Sequence, residues 1–479
     1  MKNFFCSQQG LVARGLITLA IAFSSLFALA ADDKPNIVVI MADNLGYGDV
    51  GVYGGMRAPT PVIDQLARDG VQLRDFQVEP TGPESRAAFM TGRMPIRSGI
   101  SYAASVGNAR GLHPKEVTIA ELMKRADYNT ALFGKWQLGS TPKRQPQMQG
   151  FDQFYGILET SSPIDPSFPG FSKKLIQKQQ ILSAKAEEEA KLTGEMTYVQ
   201  RSYMDRELTE KGITFIKEQV EAKTPFFLMI SYLNPHYPVV PHPDFAGKSL
   251  GGAYTDVLME MDFNTGKVLA ALNEVGIREN TIVIWFSDNG PSRQSPEADH
   301  NGDPGPWSGE SGSAWEGGLR TVAIIRWPAS VKAGWVSDEM VHVMDLYTTL
   351  GQIAGAEIPD DRPIDGVDQR AYLSGEKSHS QRDHRMVFYQ NKLTAIRWRQ
   401  FKAHLVVYER FRSMSTPGRD LSRRPQIYNL KTDPKELYDL AGRSGGNSML
   451  ATLLKVAEPY QASFREFPNN EYKNFDRRD

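Results

Sequence analysis

The chain has 479 residues, 41% of them apolar and 10% aromatic, with 41 Gly and 29 Pro, a composition that suits one large folded core with a satellite domain. Lys and Arg total 55 against 56 Asp and Glu, a formal net charge of −1. That balance removes the electrostatic case for a nucleic-acid binder or a polybasic membrane-surface protein, and leaves any anion site to be local.

In chain order, Lys2 and Arg14 precede a largely apolar stretch of 15 residues, Leu16 to Ala30, and Ala28-Leu29-Ala30 before Ala31 is a small-x-small cleavage pattern. Such a stretch is short for a bilayer span. Residues 1–30 therefore read as a removed secretory signal, giving a periplasmic or secreted protein with no integral membrane association after cleavage. Cys6 is the sole cysteine and would leave with the signal, so no disulfide or structural zinc is expected in the mature chain.

The run Ile37-Val38-Val39-Ile40-Met41 is β-branched and apolar on both faces, as a central strand of a helix-covered sheet requires. It ends in the polar, glycine-spaced loop Asp43-Asn44-Leu45-Gly46-Tyr47-Gly48-Asp49, where open α/β sheets place ligands. Further strands are predicted at Ala131 to Phe133, Phe226 to Ser231, Ile282 to Phe286 and Ala323 to Trp327. Helical spacing covers Thr118 to Arg125, Leu208 to Val220 and Thr255 to Leu272. Strands separated by such helices predict an α/β domain over residues 31–370 with a mostly parallel or mixed sheet flanked by helices. Residues 172–199, rich in Lys and Glu, read as a solvated surface helix or excursion. Beyond about residue 370, short runs at Met386 to Tyr389, Leu393 to Trp398, Lys402 to Tyr408 and Gln426 to Leu430 read as antiparallel strands. With a helix over Ser448 to Arg465 they form a smaller α+β domain spanning residues 371–479.

Six segments in this order resemble the formylglycine-dependent, arylsulfatase-like sulfatases of the alkaline phosphatase superfamily. They are Asp43 to Asp49, Arg86-Ala87-Ala88-Phe89-Met90-Thr91-Gly92-Arg93, Gly134-Lys135-Trp136, Asn234-Pro235-His236-Tyr237-Pro238, Ser287-Asp288-Asn289-Gly290 and Glu316-Gly317-Gly318-Leu319-Arg320. A later segment, Tyr428 to Pro434, resembles the family's C-terminal strand and turn. The resemblance implies a Ca²⁺ or similar divalent cation, and a nucleophile made by oxidising Cys or Ser in a C/S-x-P-x-R motif.

Asp43, Asn44, Asp288 and Asn289 match the family's metal positions, Asn44 as an amide in place of a second carboxylate. Two Asp-Asn pairs after separate buried strands also offer the oxygen ligands that a hard cation prefers. Arg86, Lys135 and His236 match residues that surround the sulfate, and such groups would stabilise charge on tetrahedral oxygens.

The nucleophile position departs from the pattern. Gly82-Pro83-Glu84-Ser85-Arg86 replaces C/S-x-P-x-R, and glycine has no β-carbon to oxidise, so no formylglycine is expected at Gly82. Gln137 stands where Gly-Lys-Trp is normally followed by His, Ser311 where many relatives carry Lys, and Glu84 brings a negative charge toward an anion site. Gln137 and Ser311 are counted with Arg86, Lys135 and His236 as substrate-binding residues. The expected function is a sulfuric ester hydrolase homologue lacking formylglycine catalysis, with a sulfate or phosphate ester as its ligand. Two alternatives stay open. One is a metal-dependent phosphoric ester hydrolase using Thr81 or metal-bound water; the other is a non-catalytic binder of sulfated glycans.

Overall fold

A computed structural model describes residues 34–100, 111–160, 179–292, 301–389, 392–408 and 418–467. The signal expected over residues 1–30 lies outside them. The strands of the large sheet are β1 (Asn36–Ala42), β2 (Val71–Gln77), β3 (Asn129–Lys135), β4 (Gln153–Ile157), β5 (Gln180–Lys185), β6 (Lys191–Glu195), β7 (Phe226–Ser231), β8 (Thr281–Ser287), β9 (Arg320–Thr321), β10 (Ala323–Arg326) and β11 (Trp335–His342). Their order is β11-β2-β10-β8-β1-β7-β3-β4-β5-β6, with β9 paired to β2. The centre, β8-β1-β7-β3-β4, is parallel, whereas β10 joins β8 and β5 joins β4 in antiparallel sense. The sheet is therefore mixed, and the described part of the 172–199 stretch is the excursion rather than the surface helix, apart from Tyr198 and Val199, which open the helix Tyr198–Ala222. Residues 180–195 form an antiparallel ribbon in which Ile181 and Leu182 are buried and β6 is mostly exposed at the sheet edge.

The continuous apolar character of β1 follows from cover on both sheet faces. Ile37, Val39 and Met41 pack with Phe89, Leu122 and Tyr347 of the helices Gly82–Thr91, Ile119–Arg125 and Val343–Ala354. Val38 and Ile40 face the other way, onto Ile63, Leu208 and Leu258 of Pro61–Arg68, Tyr198–Ala222 and Ala253–Glu274. Thr118, the first residue of the predicted helical stretch, is its N-cap. Its Oγ1 accepts the Glu121 N–H at 3.1 Å and Glu121 Oε2 accepts the Thr118 N–H at 2.7 Å, satisfying two end donors.

The C-terminal region carries its own sheets. β12 (His384–Tyr389), β13 (Lys392–Trp398), β14 (Phe401–His404) and β17 (Gln426–Asn429) form an antiparallel sheet. β15 (Val406–Val407) pairs with β16 (Arg419–Asp420), and the helix Gly446–Glu466 follows. A buried ionic network ties this sheet to the large one. Lys402 Nζ lies 3.0 Å from Glu316 Oε1 and 3.3 Å from Glu436 Oε2, Arg397 pairs with Asp75 of β2 and with Glu316, and His404 Nε2 is 2.6 Å from Glu436 Oε2. Burial raises the Glu316 and Glu436 carboxyls, but Lys402 and its neighbours outweigh that term and hold both below the ordinary 4.5. Their contribution to stability is thus complete above about pH 4.5 and is lost as pH falls through the lower native value. Lys402→Met would leave two buried carboxylates without their ammonium, and is expected to cost about 3–5 kcal/mol at pH 7. Urea unfolding should show that gap between mutant and wild type narrowing in strong acid; a gap that widened there would contradict the assignment.

Candidate functional site

The register of the central strands assembles the site. Ala42 of β1 is paired with Ser287 of β8, so each strand releases its Asp-Asn pair at the same level, and Asp288 N–H donates to Ala42 O at 3.1 Å. Asn44 takes a left-handed φ of 65°, and its N–H donates to Asp288 Oδ1 at 3.1 Å. On the other flank Gly134 of β3 is paired with Ser231 of β7, which puts Lys135 at the end of β3, one strand from β1, where its side chain reaches Asp43. All of these lie at the carboxyl ends of parallel strands.

Arg86 reaches the same point from the helix Gly82–Thr91. Its Nε donates to Asp288 Oδ2 at 3.0 Å, and its Nη1 donates to Lys135 O at 2.8 Å and Ser231 Oγ at 2.6 Å. Its Nη2 lies 4.0 Å from Asp43 Oδ2. Lys135 Nζ donates to Asp43 Oδ2 at 2.5 Å. Asp43, Asp288, Arg86 and Lys135 are all buried, so these charges interact in a medium that strengthens them. Burial pushes the Asp43 carboxyl up, but Lys135, His236 and Arg86 outweigh it and hold Asp43 below its ordinary value. Asp288 goes the other way, up to about 6, through burial and the neighbouring Asp43 charge. Lys135 is lowered by burial and by Arg86, against the opposing pull of Asp43.

His236 is half-buried, and its Nδ1 lies 2.6 Å from Tyr237 O. A carbonyl only accepts, so Nδ1 carries the proton of the neutral ring. Burial lowers its pKa to about 4 despite the attraction of Asp43, which makes the ring neutral at pH 7. Two residues absent from the sequence prediction hold this loop. Asp205 accepts the Leu233 and Asn234 N–H groups at 2.8 and 3.1 Å, and buried Arg201 donates from Nη2 to Asn234 Oδ1 at 2.9 Å. Their signal was a charged pair four residues apart, on the face of an amphipathic helix that also buries Met204 and Leu208.

Gly82 faces the cluster. A β-carbon built on it would lie 2.7 Å from Asp288 Oδ2, 3.0 Å from Gln137 Oε1 and 3.3 Å from Asn289 Oδ1, too close to the first for any side chain without a shift. Thr81 is the N-cap residue of the helix, and its hydroxyl donates to Glu84 Oε2 at 3.1 Å. Glu84, which the sequence places beside an anion site, is hydrogen-bonded within its own helical turn. Its carboxyl turns back on Thr81, and burial together with the neighbouring Glu79 pushes it well above the ordinary carboxylate range. Ser311 does join the cluster: its Oγ accepts from Asn289 Nδ2 at 3.1 Å.

The donor set fits a hard cation. Asp43 Oδ1, Asn289 Oδ1 and Gln137 Oε1 are buried acceptors with no hydrogen-bond partner among the described residues, a costly arrangement that an ion or its water would relieve. Among the described residues no group of three or more His, Cys, Asp and Glu side chains is placed to hold a metal. The donors here are two carboxylates supplemented by amide oxygens, as calcium chemistry permits.

Comparison with known proteins identifies relatives along most of the chain. The family model described as Sulfatase matches residues 35–356, and that described as N-sulphoglucosamine sulphohydrolase, C-terminal, matches residues 313–461. The chain is 34% identical over 437 residues to the steryl-sulfatase of Homo sapiens, covering 77% of this chain and 74% of that protein. It is 32% identical over 485 residues to the N-acetylgalactosamine-6-sulfatase of Mus musculus, covering 93% of this chain and 90% of that one. Among solved structures, the PsFucS1 sulfatase from Pseudoalteromonas sp. superposes with a TM-score of 0.84 at 30% identity, covering 95% of each chain.

Proposed function

The chain belongs to the sulfatase family, and within that family we propose that it is an exported, divalent-cation-dependent protein that holds a sulfate ester but lacks formylglycine turnover. The observation that carries this reading is Gly82. A β-carbon there would stand against Asp288, Asn289 and Gln137, and glycine has no side chain from which a nucleophile is made, while Asp43, Arg86, Lys135 and Asp288 are buried together.

In this reading Asp43, Asp288 and Asn289 hold the cation, with Asn44 fixing the Asn289 amide through the 2.5 Å bond from Nδ2 to Asn44 Oδ1. A bound divalent cation would act as a Lewis acid on a sulfate oxygen. Arg86 and Lys135 supply positive charge opposite the ester, Arg86 being fixed by Asp288, Ser231 and the Lys135 carbonyl. His236, neutral at pH 7 with its proton on Nδ1, offers Nε2 to the ligand as an acceptor and carries no proton there for a leaving group. Ser311 orients Asn289. The ligand class is a sulfated saccharide. Support comes from the match along nearly the whole chain to N-acetylgalactosamine-6-sulfatase, against the shorter match to steryl-sulfatase. The apolar N-terminal stretch supports export, and among the described residues no helix is long and apolar enough to cross a membrane.

The Thr81 phosphoric ester reading gains no support from the Thr81 hydroxyl, which is engaged by Glu84. Hydrolysis of aryl sulfate and aryl phosphate by the purified wild type in calcium tests the proposal: neither is expected to turn over, and cation-dependent release of either product would overturn it.

A further inference from the structure

Gln137 follows Lys135 and Trp136 at the end of β3. Its backbone has a φ of 62°, a conformation uncommon for a residue with a β-carbon. Its N–H is tied to Leu158 O at 3.0 Å. The side chain is 6% exposed, and its Oε1 is buried with no partner among the described residues. A buried amide oxygen left in that state costs about 1–3 kcal/mol.

The direction of that oxygen is informative. The point where a Gly82 β-carbon would stand lies 3.0 Å from Gln137 Oε1, 2.7 Å from Asp288 Oδ2 and 3.3 Å from Asn289 Oδ1. Three oxygens from two separate loops, those after β3 and β8, thus surround one small space, and two of them are unpartnered. The Asn289 amide cannot rotate away cheaply. Its Nδ2 donates to Asn44 Oδ1, Gly290 O and Ser311 Oγ at 2.5, 2.7 and 3.1 Å, which leaves Oδ1 as the end turned to the space. No hydrogen-bond donor of the described residues reaches either amide oxygen. Oxygens gathered without donors repel one another, and a cation, directly or through a water it carries, reverses the sign of that interaction.

We propose that Gln137 is a ligand of the divalent cation, its carboxamide oxygen occupying the side of the site that a side chain at position 82 would otherwise fill. The proposal rests on the cation reading above and extends it by one residue that sequence placed on the substrate instead. It also joins two departures that looked independent in the sequence. Glycine at position 82 opens the space, and glutamine at position 137 supplies an uncharged oxygen to it. Ligand count and charge set calcium affinity, so the substitution restores count without adding charge beside Arg86 and Lys135.

The test is calcium titration by calorimetry, with terbium luminescence as a second readout, on the full chain without any ester ligand. Gln137→Leu keeps the bulk and removes the oxygen, and is expected to weaken calcium at least about tenfold, the order that loss of one supporting metal contact produces. Gln137→Glu restores an oxygen with added charge and is expected to bind at least as tightly as the wild type. Unchanged urea midpoints in chelator would show that both variants fold. Gln137→Leu binding calcium like the wild type, while Asp288→Ala does not bind, would overturn the Gln137 assignment and leave the cation site standing. No binding by the wild type would overturn the cation reading itself and this proposal with it.

Discussion

Asp288→Ala is expected to abolish calcium binding and, in chelator, to lower folding stability by about 3–5 kcal/mol, the range for removing one partner of a buried ion pair. Both effects come from the same carboxylate. Asp288 Oδ2 takes the Arg86 Nε donor at 3.0 Å and lies 2.9 Å from Nη2, and Asp288 Oδ1 accepts the Asn44 N–H at 3.1 Å. Removing it leaves a buried guanidinium whose remaining carboxylate, Asp43, is 4.0 Å from Nη2 and already paired with Lys135. It also releases the backbone of the loop that carries Asn44. Asp288→Asn separates the terms, because the amide keeps an acceptor for Asn44 while removing the charge that Arg86 and a cation need. Calorimetry and urea unfolding on both variants read the result. A calcium isotherm unchanged in Asp288→Ala would remove Asp288 from the cation site, and a stability loss below about 1 kcal/mol would mean that the Arg86 pair is not held as described.

The second large effect concerns gain rather than loss. Gly82→Cys alone, coexpressed with a formylglycine-generating enzyme, is expected to yield neither the aldehyde mass nor aryl sulfate turnover. Glu84 still interrupts C-x-P-x-R, and the new β-carbon would press on Asp288 Oδ2 at 2.7 Å and Gln137 Oε1 at 3.0 Å. The triple variant Gly82→Cys/Glu84→Pro/Gln137→His supplies the motif and replaces the amide that crowds it. Proline at position 84 falls in the first turn of Gly82–Thr91, where a missing N–H removes no helical bond. Turnover in this variant is expected to exceed the wild-type signal by at least about 10³-fold. A single preorganised electrostatic group is commonly worth about 10² to 10³, and a covalent nucleophile more, without additivity. Intact mass reports the aldehyde independently of activity. Aldehyde formed without turnover would show that the anion residues are not arranged for catalysis.

The strands that sequence made legible were those buried on both faces. β1, β7 and β8 are unbroken apolar runs because helices cover them on either side. β2 was not legible, since Arg74 and Asp75 interrupt its apolar residues. The interruption is paid for far away in the chain, where Arg320 and Arg397 neutralise buried Asp75. The ribbon at residues 180–195 was equally opaque, because its Lys and Glu content reflects an exposed edge and says little about backbone conformation. In the site, the Asp-Asn pairs and Lys135 could be placed because each follows a strand whose end the hydrophobic pattern marks. Arg201, through the Asn234 side chain, and Asp205, through backbone N–H groups, hold a loop some thirty residues away, a relation that local spacing does not encode. The environment of Glu84 was opaque for a related reason: its formal charge is visible in sequence, its burial near the Glu79 charge is not.

The most direct measurement is steady-state hydrolysis of an aryl sulfate by the purified wild type in calcium, run beside Asp288→Ala as a control for the site. With no side chain at Gly82, the wild type is predicted to release product no faster than Asp288→Ala. Calcium-dependent release by the wild type that Asp288→Ala abolishes would contradict the account, because it would show that the site turns over sulfate esters without a nucleophile at position 82.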